Sequence, residues 1–410
     1  MGGGAGDRST PGPWPLPIRI ELSGTAPVER AEAAERGLRA RPGVAVFVGS
    51  VGGNDETISV SACGDLRAFV AGRLRGEGPR ADLSEVAVRV EACECGSGFE
   101  ADLACDAVMR ARTPEAAARA AASRAVWFVH LDPSGEVPAC RVVDACDAER
   151  DPATLIGPFA RRSHAEAWAG MLDTRFELCR EPATLAKRPD AQACPYKDMG
   201  ACPAPCDGSE PMEIYRARAE SARVFDGSLA ASALDAVRRE LDAAVGGMDF
   251  ERASDLKASV DVLSPASGAS WVCTMDRFGA LAVLPAGKKG WARIVAHRSG
   301  RSVVLGDVRA GADDPAGVIL DMLSRCGLRR GAERCFGASA SDGVALVFAH
   351  ARSSRKTRGR IVPIAWRAGE GQGTGLRLGL DRGLDPGVDR ADLVRAVRRA
   401  GGVEADIDAG

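Results

Sequence analysis

Along the first 175 residues the apolar positions switch between a period of two and a period near 3.6, which predicts alternating strands and helices. IRIELSG over 18–24 suits a short strand, and APVERAEAAERGLRAR over 26–41 suits a helix closed by Pro42 and Gly43. VAVFVGSV, GGND and TISVSA then predict strand, turn and strand, with Asn54 in a glycine-rich tetrad as the hairpin signal. DLRAFVAGRLR over 65–75 predicts an amphipathic helix with Asp65 as its N-cap. EVAVRVEACE over 85–94 alternates as a strand, and the Ala-rich run 98–124 predicts helix interrupted near Thr113 and Pro114. VWFVHLD (126–132) and ACRVVDA (139–145) predict a further strand pair, and 163–174 a helix. Residues 18–175 thus describe one small α/β domain behind a flexible lead-in over 1–17.

The pattern then changes. A Pro- and Cys-rich segment, within 176–228, holds too little apolar material to order itself by burial. From Glu210 to Leu263 the periodicity is helical, broken at Asp226-Gly227 and Gly246-Gly247. Within 229–264, Leu234, Val237, Leu241 and Ala244 form one stripe; Asp249 caps a second helix with the stripe Phe250, Ala253, Leu256 and Val260. Two helices around a glycine turn predict an αα-hairpin. Beyond 264, SWVCTMD, ALAVLPAG, ARIVAHRSG, SVVLGDV, VALVFAHA and RIVPIAW read as strands, with helices at 313–326 and 390–400. Residues 265–410 therefore predict a C-terminal α+β domain, and the fold class is α+β multidomain. RSSRKTRGR (352–360) reads as a basic hairpin tip or a phosphate-contacting loop, and the Gly-rich stretch 368–387 as loop.

The 410 residues are 45% apolar and 27% charged, which excludes fibrous and disordered classes. No run is long enough to span a bilayer, so no membrane partner is expected. The net charge of −2 argues against a surface that grips nucleic acid all over, so any DNA contact is local. Only six of 54 basic residues are Lys, which reflects GC-rich coding rather than phosphate recognition. Thirteen cysteines without a secretory signal point to a reducing cytoplasm and to free or metal-bound thiols. Most read as small core residues.

Four of them stand apart. Cys179, Cys194, Cys202 and Cys206 follow the spacing C-x14-C-x7-C-x3-C in a segment without its own core. The spacing leaves open a metal site or four unliganded thiols. Zinc is one candidate, although the paired C-x2-C hooks usual for zinc are absent; an iron–sulfur cluster tolerates irregular spacing. Arg175, Arg180, Lys187, Arg188 and Lys197 are available to offset its negative charge. CPYKDMGACPAPCDG, preceded by Phe176 and Cys179, resembles the cysteine region of the UvrC family, the nuclease component of excinuclease ABC. That resemblance implies a [4Fe-4S] cluster on Cys179, Cys194, Cys202 and Cys206. MDFERASDLK resembles the family's UVR motif, whose core reads FExAAxLRD. It implies docking on the repair helicase UvrB through Phe250, Glu251, Ala253 and Leu256. Ser254, Lys257 and Ala258 depart from the motif.

The N-terminal domain also resembles the family's GIY-YIG nuclease frame. Pro42 to Phe47 matches PGVYxF, 58–74 the second element, 98–105 the third, and Ile156-Gly157-Pro158-Phe159 the later YGPF. The chemistry of that frame is lost. Ala45 and Ser59 stand at two tyrosines, Ala62 at a lysine, Phe69 at the arginine, Arg73 at the third tyrosine and Cys105 at the metal-binding glutamate. Phosphodiester cleavage needs a carboxylate-held metal and a cation for developing charge. Phe69 and Cys105 supply neither, and the two are expected to pack together in a closed site. Arg67 and Glu100 read as solvated face residues rather than replacements. Neither the family's RNase H-like nuclease pattern nor helix-hairpin-helix repeats are found, and His297 and His350 read as core or rim histidines in strands.

Over residues 40–305 the resemblance implies a nucleotide-excision-repair component with a degenerate GIY-YIG domain. The reading it favours is a non-catalytic adaptor that binds UvrB and contacts DNA. Its rivals are an active excinuclease component making a DNA incision, and an iron–sulfur and UVR interaction protein outside repair.

Overall fold

The computed structural model describes residues 14–22, 26–51, 53–77, 82–124, 126–144, 150–264, 271–298, 300–325, 338–353, 360–365 and 390–402. The first sheet holds β1 (Ile18–Glu21), β2 (Gly43–Val51), β3 (Asn54–Cys63) and β4 (Ala87–Glu94) in the order β1-β4-β2-β3, all pairs antiparallel. α1 (Pro27–Gly37) and α2 (Leu66–Leu74) cover one face, and α3 (Gly98–Arg112) the other; α4 (Pro114–Ala122) follows. β2 is buried on both faces, hence its unbroken apolar run. Ala45 and Phe47 meet Leu66, Val70 and Leu74, while Val44, Val46 and Val48 meet Ala101, Ala104 and Val108. Asp65 caps α2 by accepting the Ala68 N–H, as its sequence position predicts.

The second sheet has the order β6-β5-β7-β8, from β5 (Trp127–His130), β6 (Arg141–Asp144), β7 (Leu155–Phe159) and β8 (Cys273–Thr274). Residues 18–175 therefore form two sheets with separate cores instead of one. The core of the second sheet is built with α5 (Arg162–Arg175), α8 (Met212–Arg223), α9 (Gly227–Gly246) and α10 (Phe250–Leu263). Between α5 and α8 the chain makes two single-turn helices, α6 (Pro182–Leu185) and α7 (Pro195–Asp198). This cysteine-bearing stretch is less independent of burial than its composition predicts. Leu178, Cys179, Leu185, Ala204 and Cys206 all enter the core of the second sheet.

The third sheet has the order β11-β10-β9-β12, from β9 (Phe278–Pro285), β10 (Trp291–Arg298), β11 (Arg301–Arg309) and β12 (Arg360–Ala365). α11 (Pro315–Arg325) and α13 (Arg390–Ala400) pack on one face. VALVFAHA, expected as a strand, lies in a helix, α12 (Ala338–Ser353). The reason is two-sided burial. Val344 and Ala345 face the second sheet's core, Leu346 and Val347 the third sheet, and the resulting apolar run hides the helical period. The basic run 352–360 accordingly joins a helix to a strand; most of it and all of 368–387 lie outside the described residues.

α3 is shared between units. Its Ala101, Ala104 and Val108 face the first sheet, while Phe99 and Leu103 pack on Ala280, Ala282, Leu284 and Val295 of the third. A polar seam reinforces the contact. Glu100 pairs with Arg293, Asp102 with His350 at 2.6 Å, and Arg110 with Asp342 at 2.5 Å.

Candidate functional site

The cysteine loop starts where α5 ends. Phe176 closes that helix, and Leu178 and Cys179 drop into the core. Three left-handed residues then shape the loop around the other thiols: Gly200 (φ 66°), Ala204 (φ 60°) and Gly208 (φ 78°). Ala204, between Cys202 and Cys206, carries the Cβ penalty that the glycines avoid, on the order of 1 kcal/mol. Cys179, Cys202 and Cys206 are buried and Cys194 is half-buried. The four lie within electrostatic reach of one another, so each thiolate formed would disfavour the next. Burial is the larger effect. It pushes Cys179 up to about 12 and raises Cys202 and Cys206, holding them as neutral thiols.

Among the described residues, no group of three or more His, Cys, Asp or Glu side chains is placed so as to hold a metal ion. The donor types nevertheless suit a soft metal or a cluster: four sulfur side chains carried on one loop. A bound cation would reverse the thiol shifts by deprotonating its ligands.

The surroundings hold this loop in place. Tyr215, in α8, accepts the Cys179 N–H at 3.1 Å and donates to the Pro138 carbonyl at 2.8 Å. Arg218, one turn on, favours the Cys202 thiolate and pairs with Glu210 at 2.7 Å. Sequence reasoning missed both. The available signal was that Tyr215 is one of only two tyrosines and lies on an otherwise polar helix, where a buried phenol needs partners. The cations expected to serve the loop are mostly engaged elsewhere. Arg175 stacks on Phe176 and Phe225, Arg180 on Tyr196, and Arg188 donates to the Leu185 carbonyl. Lys197 holds Asp207 at 2.6 Å, which keeps that carboxyl down at about 2.

α9 and α10 form the expected hairpin, turned at Gly247 and Met248, with Asp249 accepting the Arg252 N–H. Ala230, Leu234 and Leu263 anchor it to the second sheet's core, with Val237 and Val260 packed against them. Of the motif residues, Ala253 is buried and Leu256 half-buried, while Glu251 is exposed. Phe250 does not join the inner stripe. It is 72% exposed beside Met248 at 76%, so an apolar tip faces outward.

The positions implied for a nuclease site divide between two sheet faces. Ser59 pairs with Phe47, and Phe69 packs edge-on against Phe47 at 6.4 Å between ring centroids. Arg73 is buried over both rings, at 5.5 and 5.8 Å. Ala45 shares this face. Ala62 and Cys105 belong to the opposite core under α3, where Cys105 lies 3.7 Å from Met109. Phe69 and Cys105 therefore do not pack together, because β2 and β3 stand between them. Glu100, read as a solvated face residue, is 3% exposed: it accepts the Gly96 N–H at 2.8 Å and pairs with Arg293. Arg67 is exposed as expected. His297 is buried on β10, and His350 lies on α12 instead of a strand.

With this geometry in place, comparisons with known proteins single out the second sheet and its loop. Residues 126–225 match the model of the UvrC/Cho excinuclease middle domain, a span that includes all four loop cysteines and Tyr215. The chain resembles the UvrABC system protein C of Nitratidesulfovibrio vulgaris, at 34% identity over 116 residues, 28% of this chain and 17% of the relative. The Natronomonas pharaonis protein of the same name is 28% identical over 242 residues, 57% of this chain and 39% of the relative. That of Haloarcula marismortui is 31% identical over 170 residues, 40% of this chain and 29% of the relative. The matches thus span well under half the length of these relatives. No solved structure gives a significant match. The chain is UvrC-like, and the family model locates that likeness in its middle portion. Among the described residues no helix is long and apolar enough to cross a membrane.

Proposed function

We propose that this chain is a non-catalytic adaptor of UvrABC-type nucleotide-excision repair in the cytoplasm. In this reading the α9–α10 hairpin binds UvrB, Cys179, Cys194, Cys202 and Cys206 hold a [4Fe-4S] cluster, and the assembled surface contacts DNA without cutting it. The N-terminal sheet is a degenerate GIY-YIG domain. The observation that carries the adaptor reading is the division of the nuclease positions between two sheet faces, with a phenylalanine and a thiol where a cation and a carboxylate are needed. Loss of a single electrostatic stabiliser costs about 10²- to 10³-fold in rate, and here nearly the whole set is replaced.

A cluster, when bound, supplies a four-point tie between the two ends of the loop. The chain's own residues prepare that tie. Tyr215 fixes the Cys179 backbone, Arg218 lowers the cost of charge at Cys202, and Ala204 holds the bend between Cys202 and Cys206. A single zinc on the same thiolates is the alternative occupant. The exposed Val245, Met248 and Phe250 supply an apolar tip suited to a partner helix.

Incision of a lesion-bearing duplex by this protein with UvrA, UvrB, ATP and Mg2+ tests the reading. No strand cleavage above background is expected, while UvrB is retained on the immobilised protein. Metal-dependent cleavage abolished by Arg67→Ala or Glu100→Gln would contradict it.

A further inference from the structure

The turn between β9 and β10, Gly287-Lys288-Lys289-Gly290, gathers cations from three parts of the chain. Lys288 and Lys289 are exposed, and they are the only adjacent lysines in a sequence whose basic residues are otherwise mostly arginine. Gly287 and Gly290 shape the turn in the left-handed region, at φ 72° and 82°. Three hydrogen bonds then fix other elements around it. Arg41, just before β2, donates through Nη2 to the Gly287 carbonyl at 3.4 Å. The Gly290 carbonyl accepts the Ala310 N–H at 2.8 Å, which holds Arg309 at the end of β11. The Gly290 N–H donates to the Gly401 carbonyl at 2.8 Å, which brings up the last turn of α13 with its exposed Arg398. That docking is close: a Cβ on Gly401 would stand 2.5 Å from the Ala310 Cβ. Lys288 lies 4.8 Å over the Trp291 ring, and Trp291 pairs with Arg309 across the ladder, so their side chains share a face.

Among the described residues, Lys288, Lys289, Arg309 and Arg398 take part in no ion pair. Acids on the adjoining stretches are engaged elsewhere. Glu94 lies between Arg39 and Arg41, at 4.0 and 3.9 Å, and Asp307 pairs with Arg293 at 2.7 Å. Asp314 accepts the Gly317 N–H at 2.9 Å at the start of α11, and Asp313 beside it is exposed. None of the large apolar side chains exposed among the described residues lies on 285–291, 309–311 or 398–402. The surface therefore offers charge without the apolar anchor that a protein partner would use.

We propose that this turn, with Arg309 and Arg398, is a sequence-independent site for the phosphate backbone of DNA. It rests on the reading that the chain contacts DNA, and it gives that contact a place. Each cation that meets a phosphate releases condensed counterions, so four contacts give log affinity a slope of about −3.6 against log salt. The rest of the chain, with a net charge of −2, adds no general attraction.

The test is binding of full-length protein to a short fluorescent duplex of arbitrary sequence, titrated at several salt concentrations. Lys288→Gln with Lys289→Gln should weaken binding about tenfold near 0.1 M salt and flatten the slope by about 2. Arg309→Gln and Arg398→Gln, far apart in sequence, should each flatten it by about 1, whatever the duplex sequence. Arg119→Gln with Arg161→Gln removes the same charge from exposed positions elsewhere and should bind like wild type. Unchanged binding in the lysine variant, or equal weakening by both double variants, would overturn the site while leaving the DNA contact in place. No binding by wild type at low salt would remove the DNA contact itself and the site with it. Polyglutamate bound as tightly as DNA, and weakened by the same variants, would assign the surface to an acidic protein and overturn the proposal.

Discussion

His297 shows how one buried side chain fixes its own charge state. Its Nε2 accepts the Gly300 N–H at 3.3 Å, so Nδ1 carries the proton and donates to Ser302 Oγ at 2.9 Å. Complete burial then depresses its pKa from 6.5 to about 3. A histidine depressed in the folded state contributes stability above its unfolded pKa, and that contribution is lost as pH falls from about 6.5 through about 3. The stability advantage of wild type over His297→Gln should therefore shrink on acidification, by on the order of a few kcal/mol, in paired denaturant titrations at several pH values. A difference independent of pH would show that the ring is not held neutral. At this scale the sequence was only partly legible. Asp65, Asp249 and the glycine turn announce themselves by local chemistry. Tyr215 and the burial of Glu100 depend on partners tens to hundreds of residues away, which no local pattern records.

Among the elements, the hairpin makes the sharpest prediction. Phe250 is mostly exposed, so Phe250→Ala should change folding stability by no more than about 0.5 kcal/mol. As an interface anchor it should still cost about 2 kcal/mol or more of UvrB affinity, roughly 30-fold in Kd. Calorimetry or biolayer binding to UvrB beside a denaturant melt separates the two effects; a variant that binds like wild type contradicts the docking role. Periodicity predicted both helices of this hairpin because one face is buried and the other is wet. It failed for α12, whose Val344 to Val347 segment is enclosed by two cores and has no wet face to set the period. It put Phe250 and Ala253 in one stripe without separating the exposed ring from the buried methyl, since spacing alone does not say where a stripe runs past the edge of its neighbour.

At the scale of the whole molecule, α3 binds the first sheet to the third, and Glu100 sits at the centre of that contact. Arg293→Ala would leave its carboxylate buried beside Gly96 without its cation, a loss of about 3–5 kcal/mol, with Glu100→Gln milder because the Gly96 N–H keeps an acceptor. Thermal melts with hydrogen exchange over 96–112 check this, and equal effects of the two variants would contradict it. The account's central claim concerns the loop between α5 and α8, where four thiols on one loop are read as ligands of a [4Fe-4S] cluster in a UvrC-like middle domain. The most direct measurement is iron and acid-labile sulfide content with the visible absorption spectrum of anaerobically purified protein. The account predicts a brown protein with about four irons and four sulfides per chain, bleached in Cys202→Ala. A colourless protein carrying one tightly bound zinc, or no metal at all after anaerobic reconstitution, would contradict it.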